Sequence, residues 1–207
     1  MPDPSDHPPS LRIDPALALL EFSSIAAGVL AGDAMVKRAA LDVIHAGTVH
    51  PGRFLVLVGG PVAEVEEALK AGKEAAPDAL NDHIFLAAVH AEVVRALAGG
   101  RSPREADALG IIETRTVPAA ILAADKGIKA AQVTLLEIRL ADGLDGKGLV
   151  FFTGLVSDVE AALELAGNAL QPEQKVRQVV IPQLHGDMSK LIRANTRFGA
   201  QMGWDKS

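Results

Sequence analysis

The segment VAEVE at residues 62–66 recurs as VSDVE at residues 156–160, and each copy follows a glycine by two positions, at Gly60 and Gly154. Earlier in each copy, LLE at residues 19–21 corresponds to IIE at residues 111–113, at an offset of 92. Near the end of each copy His90 corresponds to His185, at an offset of 95. Matches spread over about 75 residues, with small changes of offset in loops, indicate a tandem duplication.

Each copy has the pattern strand, helix, strand, strand, helix, strand and short helix. The apolar run at residues 16–22 suits a buried strand, and Ser23 and Ser24 are candidate caps for the next helix. Pro118 falls in the first turn of the matching helix in the second copy, where its missing N–H costs nothing. This order is that of α+β ferredoxin-like (βαββαβ) folds, and it does not by itself define a function. For the first copy we predict strands at 16–22, 41–48, 54–58 and 84–87, and helices from Ser24 to about Arg38, at 62–71 and at 91–97.

The duplication divides the chain into two domains with three connecting or terminal segments. We predict a disordered N-terminal arm at 1–14, a first domain at 15–98, a linker at 99–107, a second domain at 108–194 and a C-terminal tail at 195–207.

Composition excludes several classes of protein. Of 207 residues 49% are apolar, yet no apolar run approaches the ~20 residues that span a bilayer, and the N-terminus lacks the features of a secretion signal. There is no cysteine, which excludes disulfides and thiolate-bound metals and fits a cytoplasmic protein. The net charge of −6 and the lack of a basic run argue against nucleic acid as a partner. Only 3% of residues are aromatic, so the apolar content is small and aliphatic, and part of that surface is expected to be buried between subunits.

Three stretches carry a resemblance to a known family. LEFSSIAAG at 20–28, DAMVK at 33–37 and VHPGRFLVLVGG at 49–60 closely resemble bacterial microcompartment (BMC) shell proteins of the tandem-domain class, and the likeness covers residues 16–192 in unpermuted order. The resemblance implies that three chains form a pseudohexameric ring, which tiles with hexameric shell proteins around enzymes and has a central pore for small polar metabolites. A head-to-tail contact between similar domains must close or continue indefinitely, and the closing angle is taken from the family.

The resemblance assigns tile-edge contacts to Lys37 and Lys129, whose ammonium groups would reach carbonyl oxygens across the seam. The alternative is that each is a solvated lysine favoured by the dipole at the end of its helix.

The resemblance assigns the pore lining to two turns. Because Gly and Pro also simply make tight turns, only the side chains of His50 and Asp145 are informative. The lining residues implied are Thr48, Val49, His50, Pro51 and Gly52 in the first domain and Gly143, Leu144, Asp145 and Gly146 in the second.

Three copies of His50 on the ring axis would form a collar whose charge depends on pH. Such a collar is a candidate site for an anion when protonated or for a divalent metal when neutral, since three imidazoles can bind zinc. The alternative is a turn histidine that points into solvent. We expect no cofactor, because without cysteine the thiolate-held iron–sulfur cluster of a propanediol-type relative cannot form here.

Catalytic motifs are missing from the sequence. It contains no P-loop, GxSxG, HExxH or dinucleotide fingerprint, and its six histidines are scattered without an i,i+4 pair, so we do not expect an enzyme. His90 and His185 are expected at the start of the short helices, and His83 at a solvated strand start. Two alternatives to a shell protein remain: a PII-like trimeric ligand-binding regulator, which needs a long loop between Leu41 and Val58, and a ring-forming enzyme with a site between domains.

Overall fold

A computed structural model describes residues 16–102 and 108–203 of the chain. The predicted arm at 1–14, most of the predicted linker and the end of the predicted tail therefore lie outside the described residues. Among the described residues no helix is both long and apolar enough to cross a membrane.

The first domain contains four strands and three α-helices. A single 3-10 turn, Pro77–Ala79, precedes its last strand. The elements are β1 (Ala16–Phe22), α1 (Ile25–Arg38), β2 (Val43–Val49), β3 (Arg53–Gly60), α2 (Val62–Ala75), β4 (Leu80–Leu86) and α3 (Ala91–Leu97).

The second domain repeats this order and adds a short helix in the segment predicted as a tail. Its elements are β5 (Ala108–Thr114), α4 (Val117–Ala130), β6 (Thr134–Leu140), β7 (Gly148–Gly154), α5 (Val156–Asn168), β8 (Lys175–Ile181), α6 (Gly186–Ala194) and α7 (Phe198–Gln201).

The two sheets have the same topology. Their strand orders are β2-β3-β1-β4 and β6-β7-β5-β8, and every neighbouring pair is antiparallel. This is the ferredoxin-like order, so the predicted α+β fold with two tandem domains is confirmed.

Local capping follows the sequence. The Ser24 hydroxyl accepts the Ala27 N–H and begins α1, and the Thr116 hydroxyl does the same for α4, with Pro118 in its first turn. As predicted, His90 begins the short helix α3, and its Nδ1 accepts the Glu92 N–H at 3.2 Å. His185 begins α6 in the same way.

Two predicted bounds were wrong by four residues, while the bounds of β2 and β3 differ from the prediction by at most two. The strand β4 begins at Leu80 rather than at residue 84, so His83 lies within the strand and is half-buried instead of solvated. The polar run at residues 81–83 interrupts the apolar pattern, but Asp82 and His83 still pair with β1, opposite Glu21 and Leu20. The helix α2 extends to Ala75, four residues beyond its predicted end.

The strand β1 joins two cores because its side chains alternate between the faces of the sheet. Leu20 and Phe22 pack into the core of the first domain, beneath α1 and α2. Leu17 and Leu19 face the other way and belong to a core that also contains much of α4. The two domains therefore share a hydrophobic core, and we call their contact, of β4 and α3 with α4 and β6, the domain junction.

Candidate pore loops and assembly surfaces

The first candidate pore loop is the tight turn between β2 and β3. It contains His50, Pro51 and Gly52, all exposed, with a cis peptide bond between His50 and Pro51. Gly52 has φ +90°, a left-handed conformation that favours glycine. Before the turn Thr48 is exposed and Val49 is half-buried.

The second candidate pore loop joins β6 to β7. Gly143 and Gly146 adopt φ of 70° and 76°, and Asp145 also lies in the left-handed region, at 54°. Its carboxylate is exposed, whereas Leu144 is half-buried. The turn chemistry predicted from the sequence is therefore present, and the side chain of Asp145 is accessible.

The two loops contact each other within one chain. The His50 N–H donates to the Asp142 carboxylate at 2.9 Å. Arg53 Nη1 donates to the Gly146 carbonyl at 3.4 Å, and a Cβ on Gly146 would lie only 2.9 Å from that guanidinium. Asp142 was missed by the sequence analysis, since no pattern distinguishes it from other loop carboxylates. Within the described part of a single chain no cluster of side chains suited to a metal ion occurs.

A buried carboxylate links the first loop to the domain junction. Glu21 is fully buried, pairs with Arg53, and accepts the Val117 N–H at 2.8 Å and the Asn81 amide at 2.6 Å. Burial raises the pKa of Glu21, while the Val117 amide and Arg53 oppose that shift. The sequence signal for this role is a single acidic residue in an otherwise apolar strand.

The two candidate edge lysines occupy different environments. Lys129 bonds to the Ala88 carbonyl of the first domain and to Asp125 at 2.6 Å. Asp125, only 2% exposed, also accepts the His90 N–H at 2.9 Å, so this pair lies in the domain junction. Lys37 bonds to Asp33 at 2.6 Å on the surface, and its side chain is 73% exposed.

The same asymmetry holds for the apolar side chains of α1 and α4. In α4, Val117 and Ile121 are fully buried and Ile128 is 7% exposed, because the first domain covers them. Their counterparts 92 positions earlier, together with Leu30, the counterpart of the half-buried Leu122, are exposed by 40 to 56%, and we call these four residues the open α1 face: Ile25, Val29, Leu30 and Val36.

The opposite side of the junction shows the matching difference. Ile84, Val93 and Ala96 of the first domain are at most 5% exposed, because α4 and β6 of the second domain cover them. Their counterparts 95 positions later are exposed by 41 to 48%, and we call them the open α6 face, which includes one residue of the adjoining strand β8: Val179 of β8, and Met188 and Leu191 of α6. Each chain thus contains one closed junction. It also exposes the open α1 face and the open α6 face, which correspond to the two sides of that junction.

Comparison with known proteins identifies the family to which this architecture belongs. The BMC domain family model matches residues 16–90 and 108–184. The chain is 40% identical to the bacterial microcompartment shell protein PduT of Citrobacter freundii over 84% of this chain and 95% of the relative. It is 37% identical to the shell protein PduA of the same organism over 42% of this chain and 91% of the relative.

A solved structure agrees with these matches. The crystal structure of a microcompartment protein from Desulfitobacterium hafniense superposes with a TM-score of 0.73 at 38% identity, covering 84% of this chain and 98% of the other. These matches confirm the resemblance found in the sequence. The chain belongs to the BMC-domain family and is a tandem-domain structural component of a bacterial microcompartment shell.

Proposed function

We propose that three chains close into a pseudohexameric ring that serves as one tile of the shell. The observation that carries this proposal is that the open α1 face and the open α6 face correspond to the two sides of the closed domain junction. The counterparts of their apolar residues are buried or half-buried within one hydrophobic core. A second copy of the chain supplies the missing half of each, and six similar domains then close with three chains.

The open faces also provide the driving force for closure. Seven apolar side chains, each roughly half-exposed, become buried at every contact between chains. At ~25 cal/mol per Å² of apolar surface, each contributes on the order of 1 kcal/mol before the entropy of association is subtracted. A monomer would leave both faces in water.

The ring would bring the two candidate pore loops together around its axis. Because they are neighbours within one chain, three-fold symmetry would make them alternate, with three copies of His50 and three of Asp145. The resulting lining of imidazoles, carboxylates and backbone groups suits the passage of small polar metabolites. The wider lining is the set predicted from the sequence, Thr48 to Gly52 and Gly143 to Gly146.

We assign Lys37 and Lys129 to the rim of the ring, where tiles of this protein and hexameric shell proteins would meet. In the closed junction Lys129 keeps 40% exposure, and closure of the ring would give Lys37, which is 73% exposed in the single chain, a corresponding environment. An ammonium group can donate up to three hydrogen bonds, so Lys129 can keep its contacts inside the chain and still reach a neighbouring tile.

The alternatives receive no comparable support. A PII-like regulator needs a long ligand loop between its second and third strands, whereas β2 and β3 are joined by three residues, His50 to Gly52. We also propose that the chain is not an enzyme, since the exposed polar groups of the pore loops make no nucleophile–base pair.

Two measurements test the ring and the tile. Sedimentation should give a mass near three times 21.6 kDa, and a monomer or an open-ended series of oligomers at micromolar concentration would contradict closure. Electron microscopy after coexpression with a hexameric shell protein should then show the trimer within sheets or closed shells. Isolated trimers beside unmixed hexamers would contradict the tile assignment and leave the ring intact.

A further inference from the structure

The domain junction contains a polar contact that covers a sheet edge. β6 is the outer strand of its sheet, and an uncovered edge strand has backbone groups without partners. Here α3 of the first domain supplies those partners. The Glu92 carboxylate accepts the Leu135 N–H at 2.9 Å, and Arg95 donates to the Leu135 carbonyl at 2.8 Å.

The helix α6 carries the same pair of charges at the corresponding positions. Asp187 and Lys190 lie 95 positions after Glu92 and Arg95. The nitrogen and oxygen of the acid–base pair are 3.8 Å apart in both helices. The side chains of Asp187 and Lys190 are 79 and 83% exposed, so in the single chain this pair covers nothing.

The corresponding sheet edge is also open. β2 is the outer strand of the first sheet, and Ile44 pairs with Val58 as Leu135 pairs with Phe152. Val58 and Phe152 correspond at the offset of 94, so Ile44 is the counterpart of Leu135. Leu135 is fully buried, whereas Ile44 is 46% exposed.

We propose that α6 of one chain covers the β2 edge of the next chain at Ile44. The Asp187 carboxylate accepts the Ile44 N–H, and the Lys190 ammonium donates to the Ile44 carbonyl. This contact rests on the proposed ring, and its partner is a second copy of this chain.

Side-chain volumes in the two junctions are consistent with this contact. Met188 and Leu191 on α6 are larger than their counterparts Val93 and Ala96. On the receiving helix α1 two positions change in the opposite direction, since Val29 and Val36 replace isoleucines of α4, whereas Ile25 replaces Val117. Extra volume on one side and reduced volume on the other preserve close packing.

Amide hydrogen exchange on the full-length chain tests the contact directly. In the wild-type trimer the Ile44 amide should be protected, and Asp187→Ala should speed its exchange about tenfold, as expected for loss of a hydrogen bond to a charged group. Asp187→Glu, which restores the residue type of the intrachain contact, should retain protection. The matched variant Glu92→Ala should speed exchange at Leu135 and leave Ile44 unchanged.

A crosslinking experiment keeps the proposal testable even if Asp187→Ala weakens the trimer. Because the chain has no cysteine, a short bismaleimide added to an Ile44→Cys, Asp187→Cys double variant can join only these positions. Covalent dimers and trimers on a denaturing gel are expected.

The outcomes separate this contact from the ring itself. A trimer in which the Ile44 amide exchanges equally fast with and without Asp187, or in which the cysteines do not crosslink between chains, overturns the contact while the ring stands. A wild-type chain that sediments as a monomer overturns both.

Discussion

Replacement of Asp125 tests whether equivalent residues in the two domains have different roles. In the closed junction Asp125 accepts the His90 N–H at 2.9 Å and pairs with Lys129 at 2.6 Å, while being only 2% exposed. Its counterpart Asp33 pairs with Lys37 on the surface of the chain. The variants Asp125→Ala and Asp33→Ala therefore remove the same chemical group from two environments.

The structure gives the expected magnitudes. Asp125→Ala leaves the His90 amide without its acceptor in a half-buried position, which costs about 1–3 kcal/mol of unfolding free energy. Lys129, which is partly exposed, can be hydrated and adds little. For a chain of this size the melting temperature should fall by about 2–4 °C per kcal/mol. Asp33→Ala should change the stability of the folded chain by less than about 0.5 kcal/mol.

Thermal unfolding, measured over a series of chain concentrations, distinguishes the two roles. The Asp125→Ala loss should be independent of concentration, because its contact lies within one chain. If the contact between chains copies the junction, Asp33 accepts the His185 N–H of the next chain, and the Asp33→Ala loss should be absent at low concentration, where the chain is monomeric, and should grow to a plateau as concentration rises. Asp125→Asn, which keeps an acceptor oxygen, should lose less than Asp125→Ala. Equal, concentration-independent losses for Asp125→Ala and Asp33→Ala would refute the reasoning.

Four further predictions address single sites. Glu21→Gln should flatten the pH dependence of the free energy of unfolding. Because burial raises the pKa of Glu21 in the folded chain, its contribution to stability is full below the unfolded pKa of 4.5 and is lost as pH rises through the folded pKa. Denaturant titrations in which the variant and the wild type show the same pH dependence of unfolding free energy would contradict this assignment. His83→Gln introduces the residue found at the corresponding position of the second domain. Because burial and then Lys73 lower the pKa of His83 in the folded chain, the wild type should lose stability on acidification below pH ~6.5, and the variant should not. An unchanged fall of the melting temperature at acidic pH would contradict this prediction. Lys37→Ala should reduce incorporation into sheets, seen by electron microscopy, without lowering the melting temperature. Lys129→Ala should reduce incorporation and also lower the melting temperature. Loss of the trimer in Lys37→Ala would contradict the assignment of Lys37 to the rim of the ring. His50→Ala should abolish any zinc binding measured by calorimetry, and equal binding by the variant would exclude a metal at the collar while leaving the pore intact.

The topology of the fold was predictable because the two copies corroborate each other. A short apolar run such as residues 16–22 is ambiguous alone, but its recurrence before a capped helix in each half makes the strand assignment firm. The error at the start of β4 has a physical cause. Asn81 and Asp82 are polar because they bind groups at the domain junction, Glu21 in one case and Thr116 and Gln174 in the other.

The unequal roles of equivalent residues were not predictable from the sequence. Lys37 and Lys129 stand at matching positions of the repeat, so periodicity gives both the same expectation. Only the approach of the second domain to the Ala88 carbonyl makes their environments different. The same applies to Asp142, whose bond to the His50 amide depends on two loops 92 positions apart in the chain.

Fusion of two domains in one chain changes the thermodynamics of the proposed ring. A ring of six separate domains forms six contacts between molecules, whereas three tandem chains need only three, and the other three form at the high effective concentration set by the linker. The closed junction can therefore rely on small side chains such as Ala96 and on a buried Asp125. The contact between chains must also offset the lost freedom of association, and it has larger apolar groups, Met188 and Leu191, at the matching positions. Divergence of the two junctions is thus an expected consequence of the duplication.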